Sequence, residues 1–136
     1  MQSRDSSLNT IRLDRISNTI KSEMSSEEHF QNSVLRPIIK FQNDLLIAVF
    51  LNFANKYKNV FFKLSTEKKI TYIENAIAKD SAFRNSLKDM IVGLFTVDEY
   101  NQYIPNASAL NKRMTGIIKE RLISHVQLLS EMGPKA

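Results

Sequence analysis

The fold is decided by the stretch from Ile38 to Tyr57, which reads IIKFQNDLLIAVFLNFANKY. Apolar side chains point in nearly every direction around a helix built on this stretch, whereas a surface helix has a single apolar stripe. The longest unbroken apolar run, 45–51, is about half of what a bilayer-spanning helix requires. The stretch therefore predicts a central hydrophobic helix, about 37–58, that is covered by other helices or by a partner chain.

Helix-start and helix-stop signals flank this stretch on both sides. Ser25 with Glu28, and Thr96 with Glu99, have the spacing of a capping box. Pro37 predicts a kink, or a new helix that starts around Arg36, because proline lacks an N–H and clashes with the preceding turn. Further helices are predicted from Ser65 or Thr66 to Lys79, from an Asp80 cap to about Gly93, from Thr96 to about Ile104, and from an Asn106 cap to Gly133-Pro134.

The chain is predicted to be all-α, a single domain of five or six helices around the central helix. Its 136 residues match one domain, and only 3 Gly and 3 Pro leave little punctuation for a many-stranded fold. Residues 25–132 form the helical domain and 133–136 a tail. Residues 1–24 form an N-terminal arm that we expect to be mobile or to cover a surface, since apolar residues recur at helical spacing at Leu13, Ile16, Ile20 and Met24.

The composition points to the cytoplasm. The chain has no Cys, which excludes disulfides, thiolate nucleophiles and zinc knuckles and fits a reducing compartment. The first residues are polar and no continuous apolar stretch precedes Met24, so we expect neither a secretory signal nor a membrane anchor.

Residues that would carry catalysis are scarce. His29 and His125 lie in different predicted helices without metal-ligand spacing, and Glu120 with His125 misses the Glu-x-x-His pattern of di-iron bundles. The sequence has neither a glycine-rich phosphate loop nor a Gly-x-Ser-x-Gly elbow. We therefore predict a protein that is not an enzyme and that has no metal or cofactor.

Basic and aromatic residues alternate in one window. Cations can bind phosphates and rings can stack on bases, so the window is a candidate RNA or DNA interface. The alternative is that the rings pack in the core and the lysines form a solvated rim. Net charge is +5, from 19 basic and 14 acidic side chains, and fits both interpretations. The candidate nucleic-acid residues are Lys56, Lys58, Lys63, Lys68 and Lys69, interleaved with Tyr57, Phe61 and Phe62.

The apolar content favours a different function. The run from Leu45 to Phe53 and the apolar stripe of the final helix predict more hydrophobic surface than one chain of this length covers. We therefore expect a non-enzymatic protein–protein interaction or self-association module, with a homo-oligomer or another protein as partner. A nucleic-acid-associated helical protein is the alternative.

Several stretches resemble a small family of all-helical bacterial proteins, some of which carry the name glyoxalase. The likeness spans roughly 25–130. The name implies a metal-dependent lyase or isomerase, which is a third hypothesis, although the sequence offers neither the strands nor the His and Glu ligands of the glyoxalase type of fold. The stretches that carry the likeness are EEHFQN at 27–32, LRPIIK at 35–40, QNDL at 42–45, AFRNSLK at 82–88 and SALNKRM at 108–114.

Overall fold

The computed structural model describes residues 3–12 and 25–134, and over these ranges the chain forms helices and no strand. The predicted all-α single domain is confirmed. The helices are α1 (Arg4–Ile11), α2 (Ser26–Phe30), α3 (Arg36–Phe41), α4 (Asn43–Lys56), α5 (Thr66–Lys79), α6 (Ser81–Val92), α7 (Val97–Tyr103), α8 (Ala107–Ser124) and α9 (Val126–Glu131), with a π-helical segment at Gln31–Leu35 and 3₁₀ turns at Val60–Lys63 and Ile104–Asn106.

Most predicted helix starts are confirmed by their caps. The Ser25 hydroxyl accepts from the Glu28 N–H at 3.1 Å, and Thr96 with Glu99 forms a complete capping box. Asn106 is the residue before α8, as predicted, but its side chain makes no capping hydrogen bond. A capping residue needs extended backbone, whereas Asn106 ends a 3₁₀ turn at φ −123° and ψ 25° and leads directly into α8.

Pro37 acts as predicted, since α3 begins at Arg36. The π-helical segment that precedes α3 was not predicted from the sequence. There the Arg36 N–H donates to the Gln31 carbonyl, one residue further back than in an α-helix. The widened turn is followed directly by α3, and Pro37 lies in the first turn of that helix, where proline is tolerated.

The predicted central helix over 37–58 is two helices. Gln42, at φ −87° and ψ 5°, separates α3 from α4, and its side-chain amide donates to the Met90 carbonyl at 3.0 Å. The buried residues of α4 are Leu46, Ile47, Phe50 and Ala54, whereas Leu45 on α4 is 50% exposed and Phe41 at the end of α3 is 51% exposed. Within residues 3–12 and 25–134, these two side chains of the apolar stretch are therefore left half-exposed.

The final helix is also interrupted. His125, at φ −103° and ψ 15°, ends α8, and α9 begins at the next residue, Val126. Beyond α9, a Cβ on Gly133 would overlap the Phe62 ring, so the chain end packs closely on the turn after α4. The continuous helix predicted up to Gly133-Pro134 is therefore wrong.

The core lies where α8 packs against α3, α4, α5 and α6. The predicted stripes of α5, α6 and α8 supply most of it. Side chains with no exposed surface are Leu35, Ile38, Ile39, Phe50, Ala54, Phe61, Ile73, Ile91, Met114, Ile118 and Leu129.

The first part of the N-terminal arm is docked on the domain. Arg4 donates to the Phe95 and Gly93 carbonyls, both at 2.8 Å. Arg12 is 2% exposed and binds both carboxylate oxygens of Glu99, at 2.7 and 3.0 Å. The apolar stripe predicted from Leu13 to Met24 lies outside the described residues.

Candidate partner-binding groove

A groove of about 690 Å³ lies where the ends of α4 and α5 meet the start of α6. A second hollow of about 370 Å³ lies beside it, and Phe53, Tyr57, Asp80 and Ala82 line both. The two form one surface feature, which we call the aromatic groove. The side chains that line its larger part include Phe53, Tyr57, Val60, Tyr72, Ala76 and Lys79.

The chain reversal after α4 keeps two apolar side chains at the mouth of the groove. Lys58 and Asn59 adopt left-handed backbone, with φ of 62° and 57°. The Asn59 N–H donates to the Ala54 carbonyl at 3.0 Å, which closes the end of α4. As a result Tyr57 is 52% and Val60 is 46% exposed, although both are apolar over most of their surface.

The floor of the groove is a set of rings fixed by the core. Phe53 stacks on Phe83 with centroids 4.1 Å apart, and Tyr57 lies 4.8 Å from Phe53. Tyr72 meets Phe61 edge-on at 5.3 Å. Because each ring is held by another, the groove exists before any ligand arrives, as preformed binding sites do.

Two polar groups border this floor. The Tyr57 hydroxyl donates to Asp80 Oδ2 at 3.3 Å, and Asp80 Oδ1 accepts from the Phe83 N–H at 2.9 Å as the cap of α6. Burial raises the pKa of Tyr72, and the nearby Tyr57 raises it further. The Tyr72 phenol therefore stays protonated at neutral pH.

The five predicted lysines do not form one surface. Lys69 is only 9% exposed, and its Nζ donates to Ser130 Oγ at 2.9 Å and lies 5.7 Å from the Phe61 ring centroid. The other four are exposed, and within the described ranges none of their ammonium groups has a hydrogen-bond or ion-pair partner. They are Lys56 and Lys58 beside the groove, and Lys63 and Lys68 near the start of α5.

The structure adds Lys79, which the sequence window missed. It lines the groove at the end of α5, eleven residues after Lys68 and therefore about 16 Å further along the helix. The predicted aromatic residues also separate, since Phe61 is fully buried while Tyr57 is exposed. A periodic signal was present, because Tyr72, Ala76 and Lys79 share one face of α5.

The histidines lie away from the groove. His29 borders a polar hollow of about 390 Å³ together with Asp5, Asp98 and Glu99. The Glu99 carboxylate there is already bound by Arg12 and by the Thr96 N–H. Across the described residues, no three His, Asp or Glu side chains come together in a way that would hold a metal ion.

Comparison of the chain with protein-family models, with curated proteins and with solved structures finds no match. Among the described helices, none has the length and apolar character needed to cross a bilayer.

Proposed function

We propose that this chain is a non-enzymatic protein–protein interaction module whose aromatic groove holds an apolar segment of a partner protein. The observation that carries the proposal is the exposure of Tyr57 and Val60 at the mouth of a groove floored by fixed rings. Single exposed apolar residues are ordinary, but a cluster around a concave site marks an interaction surface.

The groove has the properties of a binding hot spot. Tyrosine presents a large, rigid contact area and loses little conformational entropy when a partner covers it. The neighbouring Phe53 is partly buried and cannot turn away, because it is stacked on Phe83. A partner side chain would therefore enter a shaped apolar pocket, where burial contributes roughly 25 cal/mol per Å².

The described geometry gives less support to the nucleic-acid alternative. Lys56 and Lys58 lie at the end of α4 and in the turn after it, Lys63 and Lys68 lie around the start of α5, and Lys69 is engaged inside the domain. A single strand needs a continuous basic groove with open ring faces. We also propose that the module acts in the bacterial cytoplasm; the absence of Cys fits a reducing compartment, and cell fractionation would test this location.

Site-specific photo-crosslinking tests the function. A photoreactive phenylalanine replaces Tyr57 in the full chain expressed in its own cells, and the matched control replaces Tyr100, which is 44% exposed on α7. We expect a discrete adduct with another protein, or with a second copy, from position 57 and a much weaker one from position 100. No adduct from position 57, or equal adducts from both positions, would contradict the proposal.

A further inference from the structure

We infer that the aromatic groove takes an acidic protein segment that carries an aromatic or branched aliphatic anchor. The inference rests on the proposed function and adds the chemical class of the partner. Its basis is the charge around the groove together with the apolar floor.

The rim of the groove is positive. Lys56 lines the smaller hollow, Lys79 lines the larger one, and Lys58 occupies the left-handed turn next to Tyr57. All three are exposed, and no acid in the described part of the chain pairs with them. Charged groups at the rim of an interface steer and select a partner of opposite charge.

Asp80 does not neutralise this rim. Of the described residues that line the groove, it is the only acid, against the two lysines Lys56 and Lys79, with Lys58 in the adjoining turn. Its oxygens are already engaged by the Phe83 N–H and the Tyr57 hydroxyl. The free lysines are therefore left to bind carboxylates from outside.

The same residues disfavour a nucleic acid in the groove. One face of Phe53 is covered by Phe83, so a base cannot stack on it from that side. Tyr57 has one side turned toward Phe53, so each of these two rings offers at most one open face to successive bases. An apolar side chain needs neither open ring faces nor cations at the floor.

Peptide binding to the full chain tests the inference. The probe is a fluorescent Glu-rich peptide with Leu and Phe at helical spacing, and the comparison peptides replace Glu by Lys or the anchors by Ala. The variant is Lys56→Glu with Lys79→Glu, and the matched control is Lys63→Glu with Lys68→Glu, which changes the net charge equally at the other end of α5. Thermal unfolding checks that both variants are folded.

We expect the acidic peptide to bind the native chain and the control variant, with an affinity that falls as salt rises. The groove variant should bind it about tenfold more weakly and should prefer the Lys-containing peptide. Equal affinity for both charge types, no loss when the anchors become Ala, or stronger binding of a mixed oligonucleotide that the groove variant weakens would overturn the inference.

The two proposals fail separately. A crosslinked partner at position 57 combined with no preference for acidic peptides would reject the partner's charge class and keep the binding function. No crosslink at position 57 would reject both.

Discussion

Lys58 has an unfavourable backbone conformation. At φ 62° the Cβ of an L-residue lies close to the following carbonyl oxygen, at a cost of roughly 1–2 kcal/mol. Asn59 adopts the same region at lower cost, because asparagine is often found there. This strained turn lies at the mouth of the aromatic groove, and local backbone strain is often found at binding sites.

Replacing Lys58 by Gly should therefore stabilise the chain. We expect the free energy of unfolding, measured by urea titration, to rise by about 0.5–1 kcal/mol, because relief of strain outweighs the added entropy of the unfolded chain. The control is Lys63→Gly, at a position where φ is not positive, and it should have no such gain. A loss of stability in Lys58→Gly would contradict the assigned backbone.

At the scale of elements, α1 serves as a cap for two other helices. Arg4 and Arg12 donate to the carbonyls of Gly93, Leu94 and Phe95 at the end of α6. Asp5 Oδ2 accepts from the Val97 N–H at the start of α7. Cations at a helix C-terminus and an acid at an N-terminus both complement the helix dipole, so α1 holds the junction of α6 and α7 together.

Of the two arginines that dock α1, Arg12, which follows the helix directly, should lower the stability of the chain more when it is replaced by Ala. This substitution removes one partner of a buried pair and leaves Glu99 without its guanidinium, so we expect a loss of about 3 kcal/mol in unfolding free energy. Arg4 is more exposed, and Arg4→Ala should cost about 1 kcal/mol. Equal, small effects of both substitutions in chemical denaturation would show that α1 is not docked in solution.

The same pair predicts a pH dependence. Burial would raise the pKa of Glu99, but hydrogen bonds from Arg12 and Thr96, with the charge of Arg12, lower it below its ordinary value of 4.5. The folded state therefore gains its full stabilisation above that value and loses it as pH falls through the lowered pKa.

Glu99→Gln should flatten this part of the stability profile, measured as unfolding free energy from neutral pH into the acid range. Glu131→Gln, at an exposed position without an ion pair among the described residues, is the control and should keep the native slope. An unchanged slope in Glu99→Gln would mean that the carboxylate is not bound by Arg12 when the chain is folded.

Local signals allowed most helix starts to be predicted, but not the interruptions. Capping at Ser25 and Thr96 depends on neighbours three residues away, so the sequence contains all the information needed. The break at Gln42 depends on a hydrogen bond to Met90, 48 residues further on. The docking of α1 likewise depends on carbonyls more than 80 residues away, which no periodicity encodes.

For the whole molecule, the sequence predicted that apolar surface would remain exposed, but it did not predict the aromatic groove. The apolar stretch 38–57 is covered on one side by the core, and its end forms a wall of the groove. Lys69 and Lys79 show why the site itself was missed. Burial of one ammonium and exposure of the other depend on how α9 and α6 pack against α5, which charge spacing along the chain does not determine.

The comparison of crosslinking from positions 57 and 100 tests the central claim most directly, because it asks whether a protein occupies the aromatic groove of the intact chain. Both positions are tyrosines that are about half exposed, so reactivity and access are matched. We expect a discrete protein adduct from position 57 that disappears when Val60 is replaced by Asp, with little adduct from position 100. Adducts of equal strength from both positions, or none from position 57, would contradict it.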